Sequence, residues 1–230
     1  MRLLAISLLT LVFPARAVWA HDLHDELGHA VPHDHDGGGE PSPAQPASVS
    51  SDKSRGSWYI GFGLGSGPAS LTFGSETTSY GEMFEGTDSM RLSLDFHVGG
   101  TINEQLLVGF MGAALRQQAN VSGSTVALQH NQYLAAVTYF PLPEGKGLFV
   151  RGGAGLSAIV LDITTPFGSF TDTKGGFGFV AGAGYAFWIG ESFNLTISND
   201  FHYARFSGDE DLGEPTAGWF NAIQVGCMWY

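Results

Sequence analysis

His21, His24, His29, His33 and His35 crowd one short run, HDLHDELGHAVPHDHD, interleaved with Asp22, Asp25, Glu26, Asp34 and Asp36. Imidazole nitrogens suit zinc, copper or nickel, and carboxylates beside them supply charge and outer hydrogen-bond acceptors. In an extended chain His33 and His35 can share one ion, and His21 as a free N-terminus would chelate through its ring and α-amino group. None of the fixed spacings of a structural zinc motif is present, so this pattern fits loose metal capture or a solvated linker. A second set of chemically able residues lies further on: Arg91, Asp95, His97, Arg151, Asp200 and His202. They sit on alternating stretches that place them on the polar side of predicted strands. Carboxylates gather in two further places, Glu76, Glu82, Glu85 and Asp88, then Asp209, Glu210, Asp211 and Glu214. Oxygen donors of that kind suit Ca²⁺ or Mg²⁺, or simply form an acidic solvated surface.

What positions these residues starts at the N-terminus. Arg2, the apolar run Leu3–Phe13 and the small residues around Ala17-Val18-Trp19-Ala20 have the layout of a secretory signal peptide at residues 1–20. Pro14 and Arg16 interrupt the run well before it could span a bilayer as a helix, and no later stretch is apolar for long enough. Residues 21–56 have no Phe, Tyr or Ile and are rich in His, Asp, Gly, Pro and Ser, so they are expected to be a disordered tail. Cys227 has no partner for an intramolecular disulfide, which excludes a disulfide-stapled scaffold.

Residues 57–230 are expected to form one all-β domain. The chain is 43% hydrophobic and 13% aromatic with 33 glycines, yet only 14% charged, where a soluble domain carries about a quarter. Its net charge of −12 argues against nucleic acid, which requires clustered cations. The strongest signal is period-two alternation. Met90, Leu92, Leu94, Phe96 and Val98 share one face, with Arg91, Ser93, Asp95 and His97 on the other. Phe193, Leu195, Ile197, Phe201 and Tyr203 oppose Asn194, Thr196, Ser198, Asp200 and His202. Strands starting at Trp58 and Leu148 alternate in the same way, with Arg151 on the polar side of the latter. Softer alternation at 105–116, 126–140, 176–188 and 217–230 brings the expected number of strands to about eight. Short connections near 99–104, 141–147 and 189–191 alternate with long ones near 66–87, 117–125, 159–175 and 205–216. That rhythm belongs to a transmembrane barrel, short turns on one side and long loops on the other.

A soluble sandwich is the competing fold, but its outer face would be rich in Lys and Glu. Here Lys53, Lys146 and Lys174 are the only lysines. The reading adopted is a closed antiparallel up-and-down barrel with its apolar side toward lipid. Arg91, Asp95, His97, Arg151, Asp200 and His202 then form a polar network inside it. Strand direction puts Asp95 and Arg151 in the periplasmic half and Arg91, Asp200 and His202 nearer the outside, as two groups at different depths. Eight strands leave room for side chains only, so an open pore is not expected.

The signal segment, strand number, loop rhythm and closing residues Val225-Gly-Cys-Met-Trp-Tyr230 resemble the small outer-membrane barrels of the OmpX and OmpA-transmembrane type over residues 57–230. The resemblance implies an outer-membrane location with a periplasmic tail. It also implies an assembly signal at Tyr230 read by the barrel-assembly machinery, contact with lipid and lipopolysaccharide, and a monomer. Tyr230 replaces the usual terminal Phe, and the facing of the last strand is open. Some barrels of this size deacylate or acylate lipid A, but His202-Tyr203-Ala204 carries Ala where the deacylase His-x-Ser pattern needs its nucleophile. The leading expectation is a non-enzymatic structural or surface-interaction barrel acting through acidic loops. The alternatives are a metal-handling envelope protein using the His-rich tail and, third, a lipid-modifying enzyme.

Overall fold

In a computed structural model of the protein the structure describes residues 55–121, 123–142, 147–209 and 213–230. The elements, in chain order, are β1 (Trp58–Ser66), β2 (Ala69–Phe73), β3 (Glu76–Ser79), α1 (Tyr80–Met83), β4 (Ser89–Asn103) and β5 (Leu106–Val121). They continue with β6 (Ser124–Tyr139), β7 (Gly147–Thr165), β8 (Gly168–Trp188), β9 (Phe193–Phe206) and β10 (Pro215–Trp229). Each of β1 and β4 to β10 pairs antiparallel with its neighbour, and β10 returns to β1 through the register Ile60↔Trp229 to Ser66↔Ile223. The result is a closed ring of eight strands. Closure satisfies every ladder of the ring, which a sheet immersed in hydrocarbon requires.

β2 continues β1 along β10, from Ala69↔Phe220 to Phe73↔Pro215. Between them the chain steps off the ladder at Gly67-Pro68. The Pro68 carbonyl still accepts from the Asn221 N–H at 2.9 Å, and a Cβ at Gly67 would overlap the Asn221 carbonyl oxygen. β3 then folds back on β2, and α1 follows, fixed by a capping box. Glu82 N–H donates to Ser79 Oγ at 3.1 Å, and Ser79 N–H donates to Glu82 Oε2 at 2.8 Å.

The outside and inside of the ring are inverted relative to a soluble protein. Leu94 and Ile197 are 51% and 47% exposed, while Asp95 and Asp200 are 6% and 0% exposed. Trp58, Tyr139, Tyr185 and Trp229 point outward near the end that holds Arg55 and Tyr230, as an aromatic girdle does at a membrane interface. β10 alternates cleanly, with Ile223, Val225 and Trp229 outward and Gln224 and Met228 inward. Its facing was open from sequence.

Two of the long connections expected from sequence are strand instead. β5 and β6 stay paired up to Val121↔Ser124, and β7 and β8 up to Thr165↔Gly168. β8 is 21 residues long, about twice what crosses the hydrocarbon. Beyond the lipid the outer face carries Thr and Ser, so alternation fades while the ladder continues. Gly123, with φ +84°, makes the tight turn between β5 and β6. The long connection near 66–87 holds β2, β3 and α1.

Candidate functional site

The lumen is layered. At the terminal end, beside Arg55 and Tyr230, the inward side chains are Tyr59, Leu107, Phe140, Phe149, Ala186 and Met228. The bulky rings fit because glycine lies opposite them. A Cβ at Gly109 would come within 2.8 Å of the Tyr59 hydroxyl, and one at Gly184 would run into the Phe149 ring. Arg55 seals this end: its guanidinium lies 3.6 Å over the Phe140 ring and 4.9 Å from the Tyr230 ring, and donates to the Glu104 carbonyl. Arg55 therefore belongs to the folded barrel, although composition had assigned it to the disordered tail.

The middle layer is polar. Arg151 NH1 donates to Asp200 Oδ2 at 3.2 Å, and Ser198 Oγ donates to the same oxygen at 2.9 Å. Asp95 Oδ1 lies 3.1 Å from His97 Nε2. Gln224 Nε2 donates to Ser93 Oγ at 3.1 Å. Gln132 Nε2 donates to the Tyr203 carbonyl at 3.0 Å, which leaves its own oxygen to accept from His202 Nδ1 at 2.9 Å. The void left among Asp95, His97, Arg151, Ser198 and Gln224 is about 10 Å³, room for at most about one water.

This arrangement differs from the two groups expected from sequence. Arg151 meets Asp200, not Asp95, and Arg91 is not in the cluster. The registers explain it. Arg151 pairs with Gly182 across β7–β8, and Gly182 pairs with Asp200 across β8–β9, so all three share one level. With no side chain on Gly182, Arg151 and Asp200 meet across it; a Cβ there would overlap Asp200 Oδ1. Arg91 is half-buried at the opposite, loop end, donating to Gln117 Oε1 at 2.7 Å and the Gly67 carbonyl at 2.9 Å. Gln117 in turn donates to the Tyr80 carbonyl at 3.3 Å, so Arg91 braces the segment that carries α1.

The third layer, toward the loop end, is apolar, where a polar lumen throughout was expected. Leu71, Tyr80, Phe84, Leu115, Leu128 and Ile159 line it, and Phe206 and Phe220 underlie it. His130, which sequence reading passed over, sits fully buried against those two rings at centroid distances of 5.3 and 5.0 Å. Its Nε2 is 3.0 Å from Ser157 Oγ. Ser157 Oγ also lies 3.0 Å from the Asn131 carbonyl, to which it can donate. Ala204 is buried in the same layer, and Ser207 is exposed beyond β9, donating to the Gly175 carbonyl at 3.1 Å.

At the rim Lys174 binds Glu214 Oε1 at 2.5 Å and lies 4.0 Å from Asp172 Oδ2. Asp209 N–H donates to Glu214 Oε2 at 3.0 Å. The Lys174 ammonium, ahead of the Asp209 amide, holds the Glu214 carboxyl below the usual carboxylate range. Glu82 is likewise lowered, by the Ser79 amide first. Both carboxylates are thus committed to the chain itself. Glu76, Glu85 and Asp88 are exposed, while Glu210 and Asp211 lie outside the described residues. Among the described residues no group of three His, Cys, Asp or Glu forms a metal centre. His21, His24, His29, His33 and His35 lie outside the described residues. Tyr230, the expected assembly signal, accepts from Asn194 Nδ2 at 3.2 Å and packs at a tilt against the Trp188 ring at 5.5 Å, at the end of the barrel.

Residues 42–230 match the model of the outer membrane protein beta-barrel domain. The chain belongs to that family. Membership locates the protein in an outer membrane. No curated protein matches the chain. Solved structures similar to it include Ail, the attachment invasion locus protein of Yersinia pestis, in complex with the heparin analogue sucrose octasulfate. That match has 12% identity over 74% of this chain and 99% of the other, with a TM-score of 0.49. Neisserial surface protein A matches at 14% identity over 75% and 96%, TM-score 0.47. OprG of Pseudomonas aeruginosa matches at 14% over 77% and 97%, TM-score 0.39.

Proposed function

We propose that this family member is a non-enzymatic barrel, closed at its waist, whose role is structural or made through surface contacts at its acidic loop end, with the terminal end toward the periplasm. The observation that carries the reading is the waist. An ion pair, a histidine–carboxylate contact and the amide side chains of Gln132 and Gln224 fill the section, with about 10 Å³ left beside Arg151 and Gln224. Hydrated ions need a far wider path than that. Acidic, exposed Glu76, Glu85 and Asp88 supply a surface suited to cationic partners.

Planar-bilayer recording on the refolded full chain tests this. The expected result at neutral pH is a quiet membrane without stable unitary steps. Long-lived ohmic steps that vanish in a waist-filling Gly182→Leu variant would overturn a closed waist.

A further inference from the structure

Above the His130–Phe206–Phe220 floor, the apolar layer is not filled. A cavity of about 230 Å³ lies between β2, α1, β6 and β7, lined by Leu71, Met83, Phe84, Leu128, Ile159 and Leu161. Among the described residues its charged lining groups are Asp172 and Lys174, at the rim. An apolar cavity of about 150 Å³ in a protein interior stays dry and accepts a benzene-sized guest, because water there finds no hydrogen-bond partners. This one is larger and apolar below its charged rim, so its inner part is a better host for hydrocarbon than for water. The floor separates it from the waist, which makes it a blind pocket opening at the loop end. The α1 wall is held in place from two sides, by the Ser79–Glu82 capping box and by Arg91 acting through Gln117.

We propose that this pocket is a binding site for a small amphiphile with a hydrocarbon body and an ammonium end. The body occupies the Leu128–Ile159–Leu161 wall, and the ammonium lies at the rim beside Asp172. The sign of the head follows from the rim charges. One ammonium, that of Lys174, faces two carboxylates. Glu214 takes the close contact at 2.5 Å, and Asp172, at 4.0 Å and with its side chain 46% exposed, keeps a carboxylate available to solvent. An anionic head would have to displace Glu214 and then face both acids. The net charge of −12 adds a field that gathers cations and repels anions. This site lies apart from the closed waist and stands or falls without it.

The test uses the full-length barrel in phosphatidylcholine nanodiscs with methyl-labelled Ile and Leu, titrated with octylamine, octanol and octanoate at neutral pH and low salt. Leu94 and Ile197 face outward, so their methyls report partitioning into the bilayer. Expected are saturable shifts at Leu71, Leu128, Ile159 and Leu161, with outward methyls moving only linearly. Octylamine should bind about threefold or more tighter than octanoate, the scale of one exposed charge contact. Asp172→Asn or high salt should narrow that gap. Leu128→Trp, which fills the pocket, should abolish the saturable shifts; if it does not fold, Ile159→Phe serves the same purpose. Inward methyls that move only in proportion to the outward ones overturn the site. Octanoate binding as tightly as octylamine overturns the assignment of the ligand's charge.

Discussion

The waist and the chamber above it occupy the same barrel, one turn of side chains apart, and are held by opposite means. In the waist buried polar side chains are tied by directional contacts: Arg151 to Asp200, Asp200 to Ser198, His202 to Gln132. In the chamber Leu115, Leu128, Phe206 and Phe220 pack without direction. Paired charges give a layer that fits one register only, because a charge without its partner in a low-dielectric interior costs several kcal/mol. Non-directional packing tolerates incomplete filling, and there the space is left: about 230 Å³ in the chamber against about 10 Å³ at the waist. A layer of fixed partners fills its section nearly completely, and a layer of interchangeable contacts leaves space.

The sharpest way to break this contrast is to remove one waist partner. Asp200→Ala leaves the Arg151 guanidinium buried and uncompensated, and should destabilise the barrel by about 3–5 kcal/mol in urea unfolding from lipid. The double variant Arg151→Met/Asp200→Leu should recover much of that loss, since neither buried charge is left. A cost for Asp200→Ala under about 1 kcal/mol would mean that the waist is held by packing, as the chamber is.

How much of this was legible in the residues divides along the same line. Met90–Val98 and Phe193–Tyr203 alternate sharply because their inward faces are polar, and both the strand and its facing could be read directly. The strands around Leu106–Leu115 and Val126–Ala136 alternated weakly for a physical reason: Leu107, Met111 and Leu115 point inward while Val108 and Phe110 point outward. Apolar residues on both faces mark the two apolar layers of the lumen, Leu107 at the terminal end and Leu115 in the chamber, and the weak pattern was itself the signal. Contacts across strands were less readable. The Arg151–Asp200 pair depends on two registers and on a glycine between them, and period-two reading along one strand contains none of these. His130 was hidden by the same weak alternation. The docking of Arg55 was invisible because composition averages over a segment, while one guanidinium on Phe140 is a single contact.

The glycines sharpen the contrast on a smaller scale. At Gly182 a Cβ would overlap the Asp200 carboxylate, while at Gly175, further along the same strand, it would meet nothing within 4 Å. Gly182→Ala should therefore cost about 1–3 kcal/mol, as overpacking does. Gly175→Ala should fall within about 0.5 kcal/mol of the parent. Both can be read from the same urea curves. Equal costs would imply that the waist relaxes around an added methyl and is less tightly specified than its hydrogen bonds indicate.

The smallest effect belongs to the rim, where the chamber meets water. Glu214 titrates below the usual carboxylate range because the Lys174 ammonium and the Asp209 amide favour its charged form. A lowered folded value means that the Glu214 contribution to stability, through its contacts with Lys174 and the Asp209 amide, is fully present above the ordinary carboxylate pKa. It is lost as pH falls through the depressed folded value. Acidification below that point should free Lys174 and loosen the Asp209–Glu214 contact, while the Arg151–Asp200 pair, which needs no rim contact, persists. Carboxyl NMR of Glu214 follows the titration directly. In Lys174→Gln its midpoint should rise toward that of an unperturbed glutamate, with the Arg151 side-chain signals unchanged. A midpoint unmoved by Lys174→Gln would assign the shift to the Asp209 amide alone, and movement of the Arg151 signals would show that rim and waist are coupled layers.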